Sequence, residues 1–162
     1  MLVLRLVYVL ALAVWLGGMT LVGAVVAPSL FQTLQAADPS GGRALAGLAF
    51  GVILTRFHYV AYGCGALLLL MLVAMALLGP RPKAFAVRCA LVAAMLGVAG
   101  YSGVAVLGEI GAIQREVGTL PSRLPEGDPR RARFDALHQL STRLMMVTLI
   151  GALALLYWEA TE

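Results

Sequence analysis

Side chains that could do chemistry are few in this sequence, and they lie near the ends of long apolar segments. Charged residues make up 12% of the 162 residues and hydrophobic residues 61%, and there are only two histidines. Ionisable groups inside an apolar bundle are costly unless they pair or line a cavity, so they mark a candidate site. The candidate polar cluster comprises His58, Glu109, Arg115, Asp135, His138 and Arg143.

The two histidines allow two kinds of chemistry. Asp135 and His138 are three residues apart, so on a helix the carboxylate could orient the imidazole as it does for ligating histidines. Alternatively, Asp135 faces a helix dipole and His138 is a hydrogen-bonded interfacial histidine. His58 stands between Phe57 and Tyr59, as in an aromatic belt. His58 and His138 are nevertheless candidate ligands for a first-row metal or a haem, although no spacing motif supports either cofactor.

Arg143 is placed by the length of the last apolar segment. The run from Leu144 to Trp158 has fifteen residues, fewer than the about 20 that a membrane-spanning helix needs. The helix must therefore begin near Leu137 and carry His138 and Arg143 into the membrane. Glu109 lies at a matching depth on the preceding helix, which predicts an Arg143–Glu109 ion pair. The alternative is that Arg143 extends alone to the lipid headgroups.

These residues belong to a chain with the composition of a polytopic membrane protein. So few charges cannot coat a soluble domain, which needs roughly a quarter of its residues charged. We predict one all-α domain over 1–162, a bundle of four transmembrane helices. The spans are about 2–27, 57–78, 86–108 and 137–158.

Two connections are longer than simple turns. Asp38-Pro39-Ser40 is a helix-start pattern, but one helix from there to Leu78 would be about 60 Å long, twice the hydrocarbon thickness. We therefore expect a separate interfacial helix over about 40–54, between helices one and two. A proline-punctuated loop is expected over 118–128. We find no internal repeat in the sequence.

Small residues indicate where helices approach closely in lipid. The candidates are Gly17, Gly18, Gly97, Gly100 and Gly103. Tight packing inside one bundle is the first interpretation of this pattern, and contacts within a homo-oligomer are the second.

The two ends of the predicted bundle differ in polarity. One end collects Trp15, Gln32, Arg56, His58, Glu109, Gln114, Arg115, Glu116, Asp135, His138, Gln139 and Arg143. The other end has Arg5, Arg81, Lys83 and Arg88 in flanking positions, and we expect it to be inert. A plain count of arginines and lysines places the first end, which holds His58 and His138, in the cytoplasm. The short basic turn near Lys83 and the first helix favour cytoplasmic termini instead.

Several stretches resemble the transmembrane protein 205-like family of small four-helix membrane proteins. They are Trp15-Leu16-Gly17-Gly18-Met19, Ala27-Pro28-Ser29-Leu30-Phe31 and Phe134-Asp135-Ala136-Leu137-His138-Gln139-Leu140-Ser141. The first stretch also resembles copper-resistance D-type and haem-biosynthesis membrane proteins. The resemblance spans most of the chain and implies four spans and a membrane location, but no reaction.

Three functions are compatible with these features. The leading one is a non-enzymatic membrane protein in the lipid bilayer, whose polar pocket at one end binds or moves a small ligand or ion. The second is a redox or metal protein that ligates haem, copper or iron through His58 and His138. The third is a structural scaffold in which the polar cluster only stabilises the helix bundle. The sequence lacks hydrolase and nucleotide-binding motifs, and nothing indicates binding to nucleic acid.

Overall fold

Four long helices make up nearly all of the residues that the computed structural model describes, which are 2–118, 121 and 124–161. They are α1 (Leu2–Ala37), α2 (Gly42–Leu78), α3 (Phe85–Val117) and α4 (Pro129–Ala160). Each is long and apolar enough to cross a membrane. The prediction of an all-α, four-helix membrane bundle is confirmed. The loop predicted over 118–128 includes residues 119, 120, 122 and 123, which lie outside the described part of the chain.

The separate interfacial helix predicted over 40–54 is wrong, because α2 is one helix of 37 residues. No proline interrupts the chain between Gly42 and Leu78. The first part of α2 is also supported by packing, since the rings of Phe31 and Phe50 meet edge to face at 6.3 Å. A helix of this length, about 55 Å, exceeds the hydrocarbon thickness, so α2 extends beyond the membrane core.

All four helices exceed the predicted spans at the same end of the bundle. Pro28 does not end α1, because it stands in the first turn after a π-helical segment, Val22–Val26. Proline has no backbone N–H to donate. This lack costs least where the helical hydrogen-bond pattern changes, as it does after the π-helical segment. The third helix likewise continues past Gly108 to Val117 through a π-helical segment, Ser102–Val106.

The structure contains an internal repeat that the sequence did not indicate. Hairpin A is α1 and α2, and hairpin B is α3 and α4. The two π-helical segments begin 80 residues apart, at Val22 and Ser102. The helices that contain them end 80 residues apart, at Ala37 and Val117. The hairpins therefore have the same register in their first helices.

Burial follows the same offset of 80 residues. The buried residues Tyr8, Leu12, Trp15, Met19 and Val22 of α1 correspond to Arg88, Val92, Met95, Ala99 and Ser102 of α3, all of them buried. Leu68, Leu72 and Met75 of α2 correspond to Thr148, Ala152 and Leu155 of α4, also buried. The buried residues Ala61, Cys64 and Gly65 of α2 have half-buried counterparts in α4, so the agreement between the second helices is limited to the residues nearest the closed end.

The four helices meet at one end of the bundle and separate at the other. At the closed end, which holds the start of α1 and α3 and the end of α2 and α4, one apolar cluster joins all four helices. At the open end, the part of α1 after its π-helical segment packs on α2 and has little contact with α4. A smaller cluster of Val106, Ile113 and Leu137 joins α3 to α4 there. The hairpins therefore lie apart at the open end.

Candidate functional site

A cavity of about 670 Å³ lies between the two hairpins at the open end. All four helices contribute to its wall. Its inner part is apolar, with Trp15, Met19, Ala61 and Ala99. Ring side chains continue along its walls, among them Phe31, Phe50, Phe57 and Phe134. The cavity has the size and the mainly apolar lining that small-molecule sites share.

Polar side chains enter this cavity at separate points. They are Arg43, His58, Ser102, Gln114, Asp135, His138, Ser141, Thr142 and Thr148. Three of them, His58, Asp135 and His138, belong to the predicted polar cluster. Arg43 stands in the first turn of α2, at the outer end of the bundle. The cavity thus combines an apolar inner part with cationic, anionic and hydrogen-bonding groups.

The backbone of α2 determines which nitrogen of His58 can reach a ligand. His58 Nδ1 lies 2.8 Å from the carbonyl oxygen of Leu54, and a carbonyl oxygen only accepts, so Nδ1 donates. In the neutral imidazole, Nε2 is then the acceptor. The ring also packs edge to face on Tyr62, whose hydroxyl donates to the Ala99 carbonyl at 3.3 Å.

Gly103 makes the close packing of His58 possible. A Cβ atom at Gly103 would lie 2.7 Å from Cδ2 of His58 and would overlap the Tyr62 hydroxyl. Gly103 belongs to the π-helical segment of α3. The backbone of hairpin B therefore fits against two rings of hairpin A beside the cavity.

His138 reaches the cavity from α4, and its ring stacks on Phe134 with an interplanar angle of 9°. Asp135 lines the same cavity. No hydrogen bond joins the Asp135 carboxylate to the His138 imidazole among the described residues, so this carboxylate does not orient the ring here. Both histidines thus line one cavity, from α2 and α4.

The predicted Arg143–Glu109 ion pair is wrong. Glu109 instead accepts two hydrogen bonds from Arg133, at 2.6 and 2.9 Å, on an exposed surface. The prediction ended the third helix at Gly108, whereas α3 continues to Val117 and places Glu109 beside the first turns of α4. Arg143 lies about 15 Å further along α4 than Arg133, at 1.5 Å per residue. Arg143 is exposed and does not line the cavity.

Two other sets of predicted residues lie mostly outside the cavity. Arg115 is exposed, and its Nε donates to the Gly111 carbonyl oxygen at 3.1 Å. Among the predicted packing glycines, Gly18 approaches Phe57, where a Cβ atom would lie 2.6 Å from the ring. The structure places no neighbouring atom within 4 Å of a Cβ at Gly17, Gly97 or Gly100. Of the five, only Gly18 and Gly103 therefore lie at close approaches between described residues.

The metal and haem hypotheses depend on His58 and His138, the two histidines of the cavity. Within residues 2–118, 121 and 124–161, no group of three or more His, Cys, Asp or Glu side chains is placed to hold a metal ion. Ligation by the two histidines alone stays a prediction, which the visible absorption spectrum and elemental analysis of the purified protein test.

An ionic cluster at the closed end corrects the prediction that this end is inert. It comprises Arg5, Arg88 and Glu159. Arg88 is fully buried, and its Nη1 lies 3.1 Å from Oε2 of Glu159. Arg5 donates to the same carboxylate through Nε, and to the Glu159 carbonyl oxygen at 2.9 Å. Only the cations of this end, Arg5, Arg81, Lys83 and Arg88, entered the prediction. An acidic residue among them, in the last turn of α4, was the signal that it missed.

Comparison with known proteins identifies the family of the chain but not its activity. No curated protein and no solved structure matches it. A family described as "Domain of unknown function (DUF4149)" matches residues 10–119. The match covers most of hairpin A, the whole of α3 and the π-helical segments that border the cavity, and it stops before α4. The chain belongs to the DUF4149 family.

Proposed function

We propose that this membrane protein binds a small amphipathic molecule in the cavity between hairpins A and B. The cavity itself is the observation that supports the proposal. Its volume of about 670 Å³ lies within the range of roughly 300–1,000 Å³ that is typical of ligand sites. An open space between the hairpins leaves its apolar lining residues without packing partners on one side, and a bound molecule would supply these contacts.

The distribution of polarity supports an amphipathic ligand. An apolar part would lie against Trp15 and Met19 in the inner cavity, and a polar group would lie near Arg43, Gln114 and Asp135. The limited contact between α1 and α4 at the open end supports entry from the surrounding lipid. The sequence left open whether the pocket binds a small ligand or an ion, and this proposal selects the small ligand.

The experiment uses Trp15 as a reporter of occupancy. The chain has two tryptophans, so Trp158→Phe leaves the fluorescence of Trp15 alone. We expect a fatty acid that carries bromine near the end of its chain to quench Trp15 in a saturable way, in protein held in lipid nanodiscs. The proposal fails if the quenching only follows the bulk partition of the fatty acid into lipid.

A matched pair of glycine variants tests whether the probe occupies the cavity. Gly51 lines the cavity with no atom near its Cβ position, so Gly51→Leu should fill part of it and abolish saturable quenching. Gly63 on the same helix also has open space but does not line the cavity. In Gly63→Leu, the fatty acid should therefore quench Trp15 as it does in the protein without this change. Equal behaviour of the two variants would contradict binding in this cavity.

Three further predictions remain proposals alongside this one. We infer that the chain also belongs with the transmembrane protein 205-like proteins, from the stretches quoted above. Cytoplasmic termini follow from the basic turn near Lys83, and labelling of a terminal tag in sealed vesicles tests them. A homo-oligomer is compatible with the surface glycines Gly97 and Gly100, and the mass of the protein in nanodiscs tests it.

A further inference from the structure

The ionic cluster joins the two hairpins where they close. Glu159 belongs to hairpin B, and its side chain is 6% exposed. One of its partners, Arg88, is in the same hairpin, whereas the other, Arg5, is in hairpin A. The Arg5–Glu159 contact therefore connects α1 to α4 between the hairpins, at the end where these two helices pack together.

Stability alone is a poor explanation for this cluster. Arg88 and Glu159 are buried, whereas the side chain of Arg5 is 42% exposed. Burying charged groups costs several kcal/mol per ion, and apolar residues of similar volume often stabilise a core at least as well. Ionic groups inside an apolar bundle are therefore functional candidates, and fixing one arrangement of two is their best-attested use. Here the Arg5–Glu159 pair fixes the contact of α1 with α4 at the closed end.

The π-helical segments lie at the depth where the bundle changes from closed to open. Val22–Val26 precedes the part of α1 that has little contact with α4, and Ser102–Val106 is its counterpart in hairpin B. Val22 and Ser102 both line the cavity. Such segments inside helices are frequent at functional sites, and here the same irregularity recurs at equivalent positions of both repeats.

We propose that hairpins A and B are the two halves of an alternating-access carrier, and that the Arg5–Glu159 pair is the latch that keeps the closed end shut. Parallel repeats with a site at their interface are the architecture of carriers whose halves rock against each other. The structure then represents the state that is open at one end. This inference rests on the proposed binding cavity for its cargo, which is the same amphipathic class of molecule.

Cys64 provides a test that needs no ligand. It is buried in the closed-end cluster, one turn from the cavity residue Ala61. In a Cys89→Ala background it is the only thiol. A membrane-impermeant thiosulfonate, added to sealed vesicles at the side of the closed end, should label Cys64 slowly. Arg5→Gln removes the latch and should raise this rate roughly tenfold, the effect expected from losing a charge-assisted hydrogen bond.

The control variant carries the same change of charge at the same end. Arg81→Gln alters an exposed arginine that lines the groove beside Arg5 and is not a partner of Glu159. It should leave the labelling of Cys64 at the rate of the parent chain. Labelling that is unchanged in Arg5→Gln, or raised equally in both variants, overturns the latch.

A second variant guards against a folding defect. If Arg5→Gln does not yield folded protein, Arg5→Lys keeps the charge but loses the two-point contact with the side chain and carbonyl of Glu159. A smaller rise in labelling is then expected, and no rise overturns the proposal. Saturable quenching of Trp15 is measured separately, so failure of the latch leaves a binding cavity intact. Absence of quenching with faster labelling refutes the binding site alone.

Discussion

At the closed end, four helices converge on a continuous apolar cluster with Arg88 and Glu159 inside it, whereas at the open end two helix pairs stand on either side of a cavity. The charges of the open end lie on its surface, as in the exposed pair of Glu109 and Arg133, or line the cavity, as Arg43 and Asp135 do. Buried charge therefore accompanies tight packing in this protein, and the cavity lies where packing is absent.

This contrast changes how polar residues indicate function in such a chain. Counting polar residues identifies the open end, where they are numerous. The closed end has fewer, but its buried Glu159 carboxylate is shared by the fully buried Arg88 and the half-exposed Arg5. Few but buried charges carry more structural consequence than many exposed ones, because solvent screens the latter.

The largest difference between the ends is expected from their carboxylates. Glu159→Gln removes the charge that Arg5 and Arg88 share, and breaking a buried ion pair costs about 3–5 kcal/mol in the free energy of unfolding. Glu109→Gln, its exposed counterpart, should leave that free energy unchanged within error. Unfolding by denaturant in detergent micelles measures both. Similar losses of unfolding free energy in the two variants would show that burial does not determine how much a carboxylate contributes to stability.

Truncation of leucines should give the next largest effect. Leu72 is fully buried in the closed-end cluster, and Leu72→Ala should cost about 2–5 kcal/mol through lost burial and a new cavity. Leu54 lines the existing cavity, so Leu54→Ala enlarges a void and should cost clearly less. Melting temperatures of the two variants in nanodiscs compare the ends directly. A greater loss at Leu54 would mean that the cavity is filled in the membrane.

Glycines offer a smaller and more local comparison. A Cβ atom at Gly65 would overlap Leu96 and lie 3.0 Å from Trp15, so Gly65→Ala should cost about 1–3 kcal/mol through overpacking. Gly51 has open space, and Gly51→Ala should be neutral or stabilising by up to about 1 kcal/mol, since alanine favours helix. Thermal unfolding of both variants tests this difference, which disappears if the helices shift freely at the level of Gly65.

The smallest effect is expected at the start of α4. Asp128 caps this helix, and hydrogen bonds from the Arg130 guanidinium and backbone N–H hold its pKa below the ordinary value. Because the pKa is lowered in the folded state, the capping contribution is present at neutral pH and is lost as pH falls through the folded pKa, which lies below the ordinary value for Asp.

The measurement is the melting temperature of Asp128→Ala against the parent chain as a function of pH. The variant should melt slightly lower at pH 7, and the difference should shrink as the medium is acidified. Asp38→Ala is the control, because Asp38 accepts from Ser40 in a turn and does not cap α2. A difference that grows on acidification would contradict the assigned role of Asp128.

Much of the fold could be predicted because it depends on composition and local pattern. Long apolar runs and a shortage of charge indicated four membrane helices. The inferred helix boundaries fell short, since they rested on the thickness of the membrane alone. Helices that pack on one another beyond the membrane can be longer, as Phe31 and Phe50 show.

The site could be predicted only in part. His58, Asp135 and His138 do line one cavity, as their shared end of the bundle suggested. The partner of Glu109 was predicted to be Arg143, but it is Arg133, about 15 Å away along α4. The error arose because the depth of a residue in the membrane depends on helix boundaries that hydropathy does not fix. The wall residues Trp15, Ala61 and Ala99 could not be distinguished from core, since an apolar wall and an apolar core have the same sequence pattern.

By itself, the sequence determined the number of membrane helices and the shortage of charge that makes each ionisable group consequential. Both follow from the cost of exposing polar backbone and charge to lipid, which acts on every residue locally. Only the tertiary structure decided the repeat of hairpins, the cavity between them and the ionic latch. Apolar residues replace one another freely in such helices, so the repeat is preserved in burial and register rather than in residue identity. The partner of a buried charge is likewise set by how the helices come together.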